Sequence, residues 1–393
     1  MSGSQPSQAR QEAPVAARAR RAFLGVVRSR RSPAKVELTP TVEVPCTVCS
    51  TSSCRIVVSA AELREDRAYL HAFHRRRLRG RARGSALEER ADFTQDYDTN
   101  IVACVSCGLV YRNPRPQAKT VAEAYAADHY APARLQALFD SQLELFRPKA
   151  QALRTWLSEI PSPSIIEVGS FVGGFLAAAR EQGWQVLGID PGEQVAAFCD
   201  GKGLPVLRDA LEECGLPEAG VDCAVIWNTF DQMPAPQTAL AALRKILRPG
   251  GLLIVRAPNG ACFEHFTRVA RRLPPPLRTW LRAAMAWNNL IGFPYLHGYS
   301  APTLDRIVVP YGFARVALVP DVLTRLSDER TTTWASAEES LLKKIWLAAA
   351  HRDRDAVHLA PWFDAYYRLE GRQVGSPQRK PRIAEKTRDS EAR

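Results

Sequence analysis

Ile165-Ile166-Glu167-Val168-Gly169-Ser170-Phe171-Val172-Gly173-Gly174-Phe175 reads as an apolar strand ending in an acid, a glycine-rich turn and the start of a helix. Glycine belongs in such a turn because the backbone must bend tightly and let a ligand approach where a Cβ would collide. Trp184 to Ile189 is a second apolar run, and Asp190 closes it, 23 residues after Glu167. A carboxylate at the end of the second strand can accept both hydroxyls of a ribose. The pair points to an adenosine-containing ligand. A nicotinamide site would want Gly-x-Gly-x-x-Gly, whereas here the spacing is Gly169-x-x-x-Gly173, and no Gly-Lys-Ser/Thr occurs to make a phosphate-binding loop.

Outward from this turn, strand and helix patterns alternate. Phe175 to Gln182 is a helix closed by Gly183, Glu193 to Asp200 is helical, and Pro205 to Leu207 is a short strand. Val221 to Trp227 is a strand, Gln237 to Leu247 a helix and Gly251 to Arg256 a strand. After an irregular stretch from Asn259 to Gly298, Ser300 caps a helix through Val309, and Ala314 to Val319 is a last strand. Strands separated by helical patterns of this length imply right-handed crossovers and a mostly parallel sheet covered on both faces. The expected fold class is therefore α/β, Rossmann-like and doubly wound, with a small cysteine-bearing module in front.

These residues resemble class I methyltransferases that use S-adenosylmethionine. The Glu-x-Gly turn, Asp190, Asp209 in Leu207-Arg208-Asp209-Ala210, Asp222, and Leu247-Arg248-Pro249-Gly250-Gly251 occur in that family's order and approximate spacing. The resemblance covers roughly residues 160 to 320 and implies a seven-stranded sheet with S-adenosylmethionine at its carboxyl edge. It implies that Glu167, Gly169 and Gly173 line the methionine end, that Asp190 takes the ribose, and that Asp209 with Ala210 takes the adenine. Asn228, at the tip of the fourth strand, would face the sulfonium and the acceptor. Phe171 stands where the family carries its second glycine, which bears on how closely the turn packs on the cofactor.

Nine cysteines are present. Cys199, Cys214, Cys223 and Cys262 are scattered singly and read as small core residues or free thiols. Cys46-x-x-Cys49 and Cys104-x-x-Cys107-Gly108 are two knuckles, each able to place two thiolates on one tetrahedral Zn²⁺. Four such ligands close the coordination sphere, so the expected zinc is structural. The 54 residues between the knuckles leave room for Cys54 as a substitute ligand. The run Cys107-Gly108-Leu109-Val110-Tyr111-Arg112-Asn113-Pro114, with Tyr125 and Tyr130 beyond, is similar to bacterial methyltransferases whose zinc-binding segment precedes the catalytic domain, many of which act on sugars or secondary metabolites.

The expected organisation is a disordered basic tail at 1–40, a zinc module at 41–118 with the Arg-rich stretch His74 to Arg83 as an exposed insertion, and a helical linker at 119–160. A methyltransferase domain at 161–320 follows, with 259–300 as a substrate lid, then a helical extension at 321–371 and a second basic tail at 372–393. Of the formal charge of +12, residues 1–35, 75–90 and 372–393 carry +7, +5 and +4, leaving the body slightly acidic. A broad cationic groove for nucleic acid is therefore not expected on the catalytic domain. No stretch approaches the roughly 20 apolar residues of a membrane span, and the expected location is cytoplasmic.

On the acceptor side, Trp287 to Ser300 mixes aromatics, amides and a histidine in a loop position where α/β proteins bind ligands. His297 and His129 are the candidate general bases, with Tyr130 and Tyr299 behind them. Transfer is an in-line displacement at the sulfonium methyl, so the enzyme mainly aligns the nucleophile and, for oxygen or carbon, removes a proton. A small-molecule acceptor such as a sugar, nucleotide-sugar or polyketide-like compound is the leading reading. Two others stay open at this point: an RNA or protein methyltransferase recruited by the Arg-rich tails, and a catalytically silent scaffold.

Overall fold

The computed structural model describes residues 40–80, 97–126, 130–323, 327, 328, 330–353 and 358–371. The basic tails, Pro40 aside, lie outside the described residues, and so does His129.

Two sheets organise the chain. The smaller is built from β2 (Cys54–Val58), β3 (Asn100–Cys104), β4 (Val110–Asn113) and β11 (His297–Gly298), in the order β11-β4-β3-β2, all neighbours antiparallel. A separate two-residue pairing joins β1 (Thr41–Val42) to β5 (Arg115–Pro116). The larger sheet holds β6 (Ser164–Val168), β7 (Gln185–Ile189), β8 (Val206–Leu207), β9 (Val221–Trp227), β10 (Leu247–Pro258), β12 (Phe313–Asp321) and β13 (Trp362–Leu369). Its order is β12-β13-β10-β9-β6-β7-β8. From β10 to β8 every pair is parallel, as the alternating pattern predicts, whereas β13 runs antiparallel to both of its neighbours.

The central strands read as near-continuous apolar runs because helices cover both faces. On one face α3 (Pro132–Leu153) and α4 (Gly174–Arg180) press Phe146, Phe175 and Ala178 against Trp227 and Ile254. α4 is short and almost all small or apolar, and the described part of it is buried except at Arg180. On the other face α6 (Pro236–Ile246) and α9 (Ala301–Val308) bury Leu240, Leu243, Leu304 and Val308 against Ala224, Ile226 and Val255. Between β6 and β9 the winding reverses direction. That switch point is where the carboxyl ends of a doubly wound sheet open a crevice for a ligand.

Three expectations need correction. Residues 362–369, read as part of a helical extension, form β13, inserted between β10 and β12; the larger sheet therefore closes only at Leu369. Its run Trp362-Phe363-Asp364-Ala365-Tyr366-Tyr367 is buried throughout, which hides the period-2 signal of a half-buried strand. Likewise, the stretch 259–300 is not irregular: it holds α7 (Gly260–Arg272), α8 (Pro275–Trp287) and β11. Finally, the described part of the Arg-rich stretch is not an insertion: 74–77 form the last turn of α1 (Ala60–Arg77), and Arg75, Arg76 and Arg79 are exposed as expected. Ser59 opens that helix with a capping box to Glu62, and basic residues in the last turn suit its dipole. Arg77 lies over the Phe73 ring and pairs with Glu338 of α10 (Thr333–Ala350), while His74 is buried.

The cysteine-bearing module is not free-standing, since β11, supplied by the 259–300 segment, completes its sheet. Arg112 on β4 is buried and donates to the carbonyls of Pro294 (2.7 Å) and Gly292 (2.6 Å), which fastens that segment to the module.

Candidate functional site

The glycine turn after β6 folds as the sequence requires. Gly169 has φ +76°, and a Cβ there would run into the side chain of Thr229, which follows β9. Gly173, with φ +75°, caps α4. Between them Phe171, at the family's glycine position, also takes a left-handed φ of 45°. Such a conformation costs a non-glycine residue on the order of 1 kcal/mol. The cost is offset locally: the Phe171 N–H donates to Asp190 Oδ2 at 2.8 Å, and its ring meets Tyr130 edge-on at 5.4 Å. The ring thus packs toward Tyr130, whose backbone is held on both sides by the Gln194 amide of α5 (Glu193–Asp200).

Asp190 is oriented by two backbone donors, Phe171 N–H and the Gly192 N–H at 3.0 Å. A carboxylate fixed in this way at the end of β7 presents an acceptor suited to the hydroxyls of a ribose. Glu167 is buried, and its Oε2 has no hydrogen-bond partner. Burial first, and the charge of Asp190 second, push its carboxyl well above the ordinary range. Such a group asks for a cation, and the methionine ammonium of S-adenosylmethionine is one. Together with the carboxylate of Asp190 at the end of the neighbouring strand, this is an acceptor set that the cofactor fits.

Asn228, at the tip of β9, has a left-handed φ of 56°, and its buried Oδ1 is unpartnered. It lies next to Thr229, against the glycine turn. Asp209 and Ala210 are exposed just beyond β8, whose Leu207 carbonyl accepts the Asp190 N–H at 2.9 Å. The structure therefore brings Glu167, Gly169, Phe171, Gly173, Asp190 and Asn228 to one edge, with Asp209 and Ala210 at its margin. Asp222, at the opposite end of β9, accepts from Ser164 and pairs with Arg248, which is a structural role.

Cys46, Cys49, Cys104 and Cys107 converge, with all four Sγ atoms within 4.8 Å of one another. Tetrahedral zinc with sulfur at about 2.3 Å separates its ligands by just under 4 Å, so the set fits that ion. Cys54 stands apart from the four, on β2 opposite Cys104. Cys199 is a core thiol against Gly173, and Cys223 and Cys262 are buried.

Above the cofactor edge lies a second group that sequence reasoning found only in part. His297 is fully buried; its Nε2 lies 2.6 Å from Arg115 and 2.8 Å from the Thr47 hydroxyl. Tyr299 stacks obliquely on it and on Phe230, with centroids 5.6 and 5.2 Å away. Asp231, on the short 3₁₀ turn Phe230–Gln232, is buried and receives the Leu296 N–H on its backbone carbonyl. Asp231, Arg115 and Thr47 were missed. Only the position of Asp231, three residues past the tip of β9, could have signalled it.

Residues 128–318 match the model of a methyltransferase domain. No protein of curated function is similar to the chain. Solved structures similar to the chain include an S-adenosylmethionine-dependent methyltransferase of Thermotoga maritima, 16% identical with a TM-score of 0.36, covering 60% of this chain and 91% of that one. Others are methyltransferases of Aquifex aeolicus (17% identity, TM-score 0.35, 61% and 100% covered) and of Mesorhizobium loti (18%, 0.36, 56% and 96%).

Proposed function

We propose that this S-adenosylmethionine-dependent methyltransferase passes its methyl group to a small-molecule acceptor, and that its four-cysteine cluster holds a structural zinc. The observation that carries the acceptor reading is the enclosed polar group above the cofactor edge. Asp231, His297 and Tyr299 are at most 4% exposed, yet Asp231 Oδ1, His297 Nδ1 and Tyr299 Oη have no hydrogen-bond partner. An acceptor that reaches those atoms would have to be compact and largely buried. A sugar, nucleotide-sugar or secondary metabolite suits that requirement.

When bound, S-adenosylmethionine supplies an electrophilic methyl group. The chain's own residues hold and orient: Glu167 meets the ammonium, Asp190 the ribose, and Asp209 with Ala210 the outer edge of the adenine. Asn228 and the Asp231 turn face the acceptor. The segment 259–300 and the cysteine module wall off water, and Cys46, Cys49, Cys104 and Cys107 would together hold the zinc and leave it no open position for chemistry.

Calorimetry tests the reading. Native protein is expected to bind S-adenosylmethionine and S-adenosylhomocysteine with affinity on the order of micromolar, and Asp190→Ala to lose at least about tenfold, or about 1.4 kcal/mol. No binding by folded, zinc-loaded protein would favour a silent scaffold. Tight RNA binding that collapses with salt would instead favour a nucleic-acid acceptor.

A further inference from the structure

Over nine-tenths of buried polar groups in proteins have a partner, so orphaned atoms on three neighbouring residues ask for a ligand's polar edge. Asp231 Oδ1, His297 Nδ1 and Tyr299 Oη are such atoms. They are brought together by the Leu296-to-Asp231 backbone hydrogen bond and by the ring contacts of Tyr299 with Phe230 and His297.

The direction of each hydrogen bond can be assigned. A guanidinium has donors only. Arg115 lies 2.6 Å from His297 Nε2, so that nitrogen accepts, and the Thr47 hydroxyl turns to donate toward it as well. The single proton of a neutral imidazole then sits on Nδ1, the orphaned atom. Arg115 cannot swing aside freely, being buried and tied to the Pro234 carbonyl. His297 therefore offers a donor to the pocket, and to act as a base at Nδ1 it would have to move its proton to Nε2, against Arg115. Tyr299 keeps its phenolic proton, because burial and then the neighbouring Asp231 push its ionisation up. Asp231, once ionised, is left as the one proton acceptor of the three.

We propose that Asp231, rather than His297, receives the proton of the acceptor's reacting hydroxyl, while the Nδ1–H of His297 and the hydroxyl of Tyr299 hold an adjoining oxygen of the same acceptor. The acceptor class is a compound presenting a hydroxyl beside a second oxygen. As the O–H bond breaks, its proton goes to the Asp231 carboxylate. The freed oxygen pair bonds the methyl carbon, the carbon–sulfur pair stays on sulfur, and Asp231 later returns the proton to water. Burial pushes the Asp231 carboxyl up to about 8, near the range where a base works best at neutral pH. His297 is held well below its ordinary value by burial and then by Arg115. The inference rests on the methyltransferase reading for its reaction and on this geometry for its proton assignments.

Both assignments are open to NMR on the full, zinc-loaded chain with S-adenosylhomocysteine added, carrying ¹⁵N-labelled histidine and ¹³Cγ-labelled aspartate. His297→Gln identifies the imidazole, and Asp231→Asn or Asp231→Glu the carboxyl. The facing titratable groups are Arg115, His297 and Tyr299, with Cys46 beyond Tyr299. Expected are a protonated Nδ1 and an unprotonated Nε2 that do not titrate between about pH 6 and 9, beside an Asp231 carboxyl with its midpoint near 8. A protonated Nε2, or an imidazole titrating in that range, would overturn the proposal. So would an Asp231 midpoint near the ordinary carboxylate value. Calorimetry with S-adenosylhomocysteine on the same sample keeps the two readings apart: lost binding would count against the methyltransferase function and leave the proton assignments standing.

Discussion

The Thr47 hydroxyl lies 2.8 Å from Nε2 of His297, across 250 residues of sequence. Thr47 sits inside the Cys46-x-x-Cys49 knuckle, and its carbonyl accepts from Gln237 of α6. The knuckle thus touches both His297 and a helix on the larger sheet. Removing the hydroxyl in Thr47→Val takes away one hydrogen bond while Arg115 still satisfies Nε2, so the expected loss is only about 1 kcal/mol. Urea unfolding and metal analysis check this. Loss of metal in that variant would mean that the hydroxyl holds the knuckle rather than the histidine.

Zinc content should divide the cysteines cleanly. About one zinc per chain is expected, absent in Cys104→Ser and retained in Cys199→Ser, whose thiol packs on Gly173 and Leu204. Chelation should loosen β2, β3 and β4 and, through β11, the backbone around His297, since metal binding in such modules is folding energy. Faster amide exchange at 297–299 after chelation is the readout. Unchanged exchange there would make the module a passive appendage.

Glu167 predicts a proton linkage. Its carboxyl is raised in the folded protein by burial and then by Asp190. The protonated form therefore favours folding: this stabilisation is complete below the ordinary carboxylate range and is lost as pH climbs through the raised value. An ammonium beside it favours the carboxylate, so binding S-adenosylhomocysteine should release a proton, and affinity should grow as pH rises toward the shifted value. Calorimetry in two buffers of different ionisation enthalpy measures the release. An unchanged linkage in Glu167→Gln would remove Glu167 from the methionine end.

Gly169→Ala should fail for two reasons at once, the left-handed φ of 76° and the collision with Thr229. The strain is about 1–3 kcal/mol, and the turn that carries it is the one the cofactor approaches. Expected is a folded protein with lowered melting temperature and S-adenosylhomocysteine affinity weakened by about tenfold or more. Native affinity in this variant would place the cofactor elsewhere.

The turn at 165–175 and the acid at 190 were legible because parallel strands and the cofactor impose local rules: apolar runs, glycine where a Cβ collides, a carboxylate at a strand end. The four cysteines were legible through ligand spacing. What escaped was set by tertiary contact alone. Asp231 resembles any surface acid until the Leu296 and Tyr299 contacts bury it. Arg115 looks like a solvated charge until His297 takes its N–H. Nor does a helix such as α8, in which Ala283 to Trp287 are all buried, show its face by period.

β13 shows the same limit at larger scale and yields the last prediction. Asp364 pairs with Arg256 at 2.8 Å and also with Lys149, while Asp321 joins the network from β12. Arg256 is 2% exposed and Asp364 3%, so Asp364→Ala leaves a buried guanidinium short of a partner, at a cost of about 3–5 kcal/mol. By contrast, the pair Arg147–Glu181 has side chains 50% and 42% exposed, and Arg147→Ala should cost no more than about 1 kcal/mol. A chain ending at 371 should fold with a cooperative transition, and one ending at 360 should not, because the latter leaves β10 and β12 with unpaired edges where β13 belongs. Cooperative unfolding of the shorter chain would return residues 361–371 to the status of an appendage.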